Sequence, residues 1–159
     1  MLKHELTLRI SQSAQTCAIH HSRMMFAYDQ LREVFPLDEN SYKNLASTQI
    51  SFCDQLIYRF SKLQDTIGNK VFRNILEGLG EDQEELPFID VVLRLEKLHV
   101  IESHLEWLQL REVRNLVTHE YPYNTQEITE GLNLILEKVL ILSQIWLKLQ
   151  EFIKVRFGI

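Results

Sequence analysis

The residues of this chain best suited to chemistry lie in "REVRNLVTHEYPY", Arg111 to Tyr123, where Arg114, Asn115, His119 and Tyr121 spell R-N-x-x-x-H-x-Y. An arginine offers a permanent charge and a planar fork of donors that matches a phosphate, including the charge that builds on its oxygens in a transition state. A histidine, with an ordinary pKa of about 6.5, exchanges a proton at neutral pH with an attacking ribose 2′-OH or with a leaving oxygen. An arginine and a histidine brought together, as Arg114 and His119 could be, are able to act on a phosphodiester. The bare arginine-to-histidine spacing is weak, because Arg94 and His99 repeat it in "RLEKLH". Asn115 and Tyr121 set the later copy apart: four specified residues coincide by chance with a probability on the order of 10⁻⁴ at ordinary residue frequencies.

Helical geometry brings these residues together only in part. Five residues rotate by about 140° and seven by about −20°. On a continuous helix Arg114 and Tyr121 therefore share a face, while His119 lies above Asn115. Arg114 and His119 meet if the last turn unwinds, which Pro122 favours through its missing N–H and its demand on Tyr121, or if a second chain completes the site. Each residue also has a plainer reading. Arginine and histidine near a helix C-terminus serve the dipole and its carbonyls, and Tyr121 and Tyr123 beside Pro122 can pack a loop onto the body of the protein.

Other candidates are less pointed. Arg59, Lys62, Lys70 and Arg73 give "RFSKLQDTIGNKVFR" a basic character that could line an RNA cleft or simply form a solvated face, and Asp65 within it is able to pair with an arginine and orient it. His21 falls in an apolar stripe between Cys17 and Met24, where a satisfied inward-facing histidine is the default; His20 points elsewhere. No H-x-x-x-H, acidic triad or cysteine cluster with ligand spacing occurs, so no metal site and no cofactor are expected.

The elements that must position Arg114 and His119 read as helices throughout. Five glycines and three prolines in 159 residues leave few breaks, and apolar residues recur at threes and fours. Leu6, Ile10, Cys17, Met24, Tyr28, Leu31 and Phe35 form one stripe, which "PLDENS" ends and recaps with Asp38, Asn40 or Ser41. From Tyr42 a second long helix runs through Leu45, Phe52, Leu56, Phe60, Leu63, Ile67, Val71 and Ile75, with Gly68 as a point of local bending. It stops at the acidic loop "EGLGEDQEELP", which is solvated or contacts a basic partner. Pro87 opens "FIDVVLRLEKLHVI" as a first-turn residue, and Ser103 with Glu106 caps the helix that carries the motif and ends near Pro122. Asn124 with Glu127 caps the last helix, in which Ile128, Leu132, Ile135, Val139, Leu142, Trp146, Leu149 and Ile153 alternate at fours and threes. The expectation is a single all-α domain over residues 1–159, an antiparallel four-helix-type bundle with an additional short helix.

Bulk properties narrow the partners. A formal charge of −5 argues against general attraction to polyanions but leaves room for a local basic cleft. Cys17 and Cys53 stand far apart, and the N-terminus has no apolar run of signal-peptide length, which reads as cytoplasmic. The richest apolar region, "LNLILEKVLILSQIWLKL", is broken by Glu137, Lys138, Ser143 and Gln144 and reads as a core helix, with no membrane span.

The motif on the penultimate helix of a small bundle resembles the HEPN superfamily, and its Tyr121 extension resembles the HepT-like toxins. The resemblance is specific at Arg114, Asn115, His119 and Tyr121; elsewhere it rests on helix count and order. It implies a homodimer whose two motifs face each other across a cleft and act as a metal-independent ribonuclease toxin. It also implies a partner, a minimal nucleotidyltransferase antitoxin that blocks the site by AMPylation of Tyr121. A non-catalytic HEPN-like adaptor that binds a nucleotidyltransferase and presents its substrate is the alternative, and a bundle that merely joins partners is a third. The first two helices are longer than the smallest members of such a family need, and "VRFGI" at the end has no evident purpose.

Overall fold

The computed structural model describes residues 3–118 and 124–159. Helix α1, His4–Leu31, buries Leu6, Ile10, Cys17, Met24, Ala27 and Leu31, so its apolar stripe faces the core as the spacing requires. Phe35 lies beyond the helix and packs against the core from the following loop. There Asp38 caps a short helix, α2, Glu39–Lys43: its Oδ1 accepts the Ser41 N–H at 2.7 Å, and Ser41 Oγ accepts the Asp38 N–H at 2.9 Å. This reciprocal box satisfies backbone donors that the start of a helix would otherwise leave unpaired.

The second long helix expected from Tyr42 begins instead at Ser47. Helix α3, Ser47–Thr66, is followed without a break by one π-helical turn, Ile67–Val71, and by α4, Phe72–Gly78. The π turn has a cause in the apolar spacing. Leu63, Ile67, Val71 and Ile75 are separated by fours, and three such steps drift by about 120° on an α-helix; one extra residue in a turn takes up about 100° of it. Leu56 and Phe60 before the turn and Phe72 and Ile75 after it are all fully buried. Gly68 sits in this turn where a β-carbon would lie 3.4 Å from Trp107 Cζ2, so the helix approaches the ring of α6 closely there.

Helix α4 ends in a Schellman arrangement, with the Glu81 N–H on the Leu76 carbonyl at 2.9 Å, the Gly80 N–H on the Glu77 carbonyl at 3.0 Å, and Gly80 at φ +80°. Helix α5, Phe88–Lys97, has Pro87 just ahead of its first turn, at the cap position, and ends the same way around His99, which takes the left-handed conformation at φ +62°. Helix α6, His104–Thr118, opens with the Glu106 N–H on Ser103 Oγ at 3.2 Å. Helix α7, Thr125–Phe157, opens with the Glu127 N–H on Asn124 Oδ1 at 3.1 Å and closes on Gly158 at φ +70°.

Four long helical segments, α1, α3–α4, α6 and α7, pack up-down-up-down, with α5 as the additional short helix expected and the single turn of α2 as another. The direction of each neighbour follows from its contacts. Arg9 meets Glu77 while His20 meets Arg59, so α1 and α3–α4 are antiparallel. Asp65 meets Arg114 while Gly68 meets Trp107, which sets α6 against α3 in the same sense. Leu37 exchanges two hydrogen bonds with Asn133, both 2.8 Å, and His21 meets Ser143, which runs α7 back along α1. The core is continuous, with Phe72 packed edge-on against Trp107 at 4.7 Å and Trp146, Leu142 and Ile135 closing it from α7. Among the described residues no helix is long and apolar enough to cross a membrane.

Candidate functional site

Arg114 lies in the last turns of α6, and its guanidinium is gripped along one edge by Asp65 at the end of α3. Arg114 Nε donates to Asp65 Oδ1 at 2.9 Å and Nη2 donates to Oδ2 at 2.7 Å. Both side chains are less than one third exposed, at 28% and 30%. The two hydrogen bonds to the Asp65 carboxylate raise the pKa of Arg114 above its already high ordinary value, so its charge is permanent. A bidentate pair fixes the plane of the guanidinium as well as its position. The pairing open to Asp65 from sequence is therefore present, and its partner is the motif arginine.

Asn115 follows on the exposed side of α6. Beside it, Leu116 and Val117 border a small groove of about 80 Å³ completed by Ile57 of α3 and Ile128, Gly131 and Leu132 of α7. His119 and Tyr121 lie outside the described residues, as do Pro122, Tyr123 and the expected helix end near Pro122. The described helix reaches Thr118.

The second arginine-histidine copy is occupied with structure. Arg94 pairs with Glu81 of the acidic loop at 2.5 Å, and His99 forms the left-handed end of α5. Of the four cations considered for an RNA cleft, Arg73 has different partners from Arg59 and Lys62. Arg73 donates to the carbonyls of Gln83 and Leu86 at 2.8 and 3.1 Å and so holds the loop between α4 and α5. Lys70 is exposed on the π turn. Arg59 and Lys62 converge on the ring of Tyr58, with Arg59 Cζ at 5.1 Å and Lys62 Nζ at 5.8 Å from its centroid. Tyr58 was not singled out from sequence, although "YRFSK" places an aromatic residue four positions ahead of Lys62, which is the helical spacing for such a contact.

The histidines of α1 are held by neighbours. His21 Nε2 lies 2.7 Å from Ser143 Oγ, the satisfied inward-facing state expected of it. His20 Nδ1 lies 2.9 Å from Arg59 Nη1. Burial lowers both imidazole pKa values, and the Arg59 and Lys62 charges add to the effect at His20. Among the described residues no three histidine, cysteine, aspartate or glutamate side chains converge as metal ligands would. Comparison of the chain with family models, curated proteins and solved structures returns no match.

Proposed function

We propose that this protein is a metal-independent endoribonuclease of the HepT-like kind, acting in the cytoplasm as the toxin of a toxin-antitoxin pair. The observation that supports this most is the Arg114–Asp65 pair: a motif arginine with a fixed plane and a permanent charge, immediately before the segment that carries His119. In this reading Arg114 binds the scissile phosphate and stabilises the charge that builds on its oxygens. His119 exchanges the proton: the ribose 2′-OH loses it as its oxygen attacks phosphorus, the bond to the 5′ oxygen breaks, and that oxygen is protonated. The products are a 2′,3′-cyclic phosphate and a 5′-hydroxyl. Asn115 orients the phosphate or the imidazole, and a homodimer brings two such motifs to one cleft. The nucleotidyltransferase partner transfers AMP to the Tyr121 hydroxyl, displacing pyrophosphate from ATP and blocking the cleft.

Expression in a bacterial host tests the catalytic assignment. The parent is expected to arrest growth, and Arg114→Ala or His119→Ala to relieve the arrest while remaining folded by circular dichroism. Equal toxicity of parent and folded variants overturns it. Mass spectrometry of the chain made with and without the partner gene tests the Tyr121 assignment through the added mass of AMP.

A second reading, the non-catalytic adaptor that presents a substrate to a nucleotidyltransferase, is favoured by the same pair seen as a tie between α6 and α3, and by the net charge of −5. Purified protein that forms a stable complex with the transferase and leaves labelled RNA intact at every concentration supports the adaptor.

A further inference from the structure

Tyr58 presents an aromatic ring on the outer face of α3, half-exposed at 52%, in a setting that packing does not require. Its neighbours are chemically selective. Arg59 and Lys62 stand 5.1 and 5.8 Å from the ring centroid, and His20 meets it edge-on at 6.5 Å. Positions 58, 62 and 65 follow the i, i+4, i+7 spacing of one helical face, so Tyr58, Lys62 and Asp65 form a stripe about 10 Å long. The far end of that stripe is the carboxylate that holds Arg114.

An exposed ring flanked by cations fits a ligand that alternates flat π faces with negative charges, which describes a single strand of RNA. A base stacks on the Tyr58 ring in place of the cations that now lie over it, and Arg59 and Lys62 turn to the adjoining phosphates. The local charge matters because the whole chain is acidic. Along α3, Asp65 is paired with Arg114, and Asp54, one turn before Tyr58, opposes both Arg59 and Lys62, so this part of the helix keeps a positive balance. The geometry points to Tyr58, with Arg59 and Lys62, as a base-stacking platform that holds single-stranded RNA beside the Arg114–Asp65 site. This inference rests on the ribonuclease reading for its choice of ligand, and it makes the substrate single-stranded rather than duplex.

The probe is a fluorescein-labelled oligoadenylate, followed by anisotropy for binding and by gel for cleavage, with parent, Tyr58→Ala, Tyr58→Trp and Lys62→Ala. Loss of one stacked base weakens binding about 10-fold in Tyr58→Ala, and Tyr58→Trp restores it. Lys62→Ala reduces the slope of log affinity against log salt by about one. If the parent cuts RNA and Tyr58→Ala binds and cuts equally well, the platform is overturned while the ribonuclease reading stands. If the parent binds RNA without cutting it, and Tyr58→Ala binds 10-fold more weakly, the platform stands while the ribonuclease reading falls. RNA binding unchanged in Tyr58→Ala, with a smaller assembly by light scattering, makes this face a protein interface and overturns the proposal. A parent that binds no RNA overturns both.

Discussion

Alanine at Arg114, at Asp65 and at both positions measures how firmly α6 is tied to α3. The pair has two contacts of 2.9 and 2.7 Å between side chains less than a third exposed. Fully exposed pairs contribute about 0.2–1 kcal/mol, and hydrogen bonds to charged groups about 1.5–3 kcal/mol. A largely covered bidentate pair falls between them, so the double-mutant coupling should be about 1–2 kcal/mol. Arg114→Ala alone should cost about 2 kcal/mol, since it also leaves the Asp65 carboxylate partly covered without this partner. Urea unfolding reads these differences directly, and in a chain of this size each kcal/mol moves Tm by about 2–4 °C. Added salt should weaken the coupling modestly, because the pair is partly screened from solvent. A coupling below about 0.3 kcal/mol would refute the bidentate geometry. Under the proposed ribonuclease function, activity separates a tie from a positioning role: with Asp65→Asn, which keeps the shape and removes the charge, kcat for RNA cleavage should fall about 10-fold with KM little changed. Cleavage per folded molecule equal to the parent would leave Asp65 a structural residue only.

Other consequences are quickly checked. Gly68→Ala should stabilise by about 0.5 kcal/mol in urea unfolding, because the new methyl meets Trp107 and Phe88 at ordinary contact distances of 3.4 and 3.6 Å while the helix gains propensity; Gly68→Leu should cost about 2 kcal/mol by overpacking the buried ring. Burial pushes the thiols of Cys17 and Cys53 up to about 12 and about 11, so alkylation by iodoacetamide at neutral pH should proceed only with unfolding. His20 and His21 have lowered pKa values in the fold, so the unfolded chain takes up protons first as pH drops through about 6.5. Stability should be full above that value and decline below it, and His20→Gln with His21→Gln should flatten this part of the pH profile. His99→Gly should raise stability by about 1 kcal/mol, since a glycine adopts φ +62° without the strain a β-carbon brings.

The helical bundle was legible because its information is periodic and local. Ser103 with Glu106 and Asn124 with Glu127 are read from spacing alone, and each supplies the hydrogen bond its position suggests, whereas the choice of Asp38 among Asp38, Asn40 and Ser41 came from the structure. The start of α3 was harder to place, because Tyr42 and Leu45 fit its apolar stripe although Asn44 and Ala46 separate a capped turn from the true helix. The π turn was visible only as the run of fours from Leu63 to Ile75, which reads as continuity until the angular drift is counted. Arg59, Lys62 and Arg73 look alike along the chain and diverge in space, because Arg73 is drawn to loop carbonyls that sequence distance hides. The pairing of Asp65 with Arg114 joins positions 49 residues apart and becomes definite only once α3 and α6 are packed.

The π turn and the ion pair act on the same junction. Before the turn, α3 directs Asp65 outward toward α6; after it, the added residue restores Phe72 and Ile75 to the core. A straight α-helix through this region would have to rotate one of those sets away from its place. Gly68 in the turn lets α3 come close to Trp107, two turns along α6 from Arg114. Helix α6 is therefore fixed to α3 by packing at one point and by charge at another, on the same side. Two such points remove both sliding and rotation of α6, so the position of Thr118, from which the chain continues to His119, is set by α3.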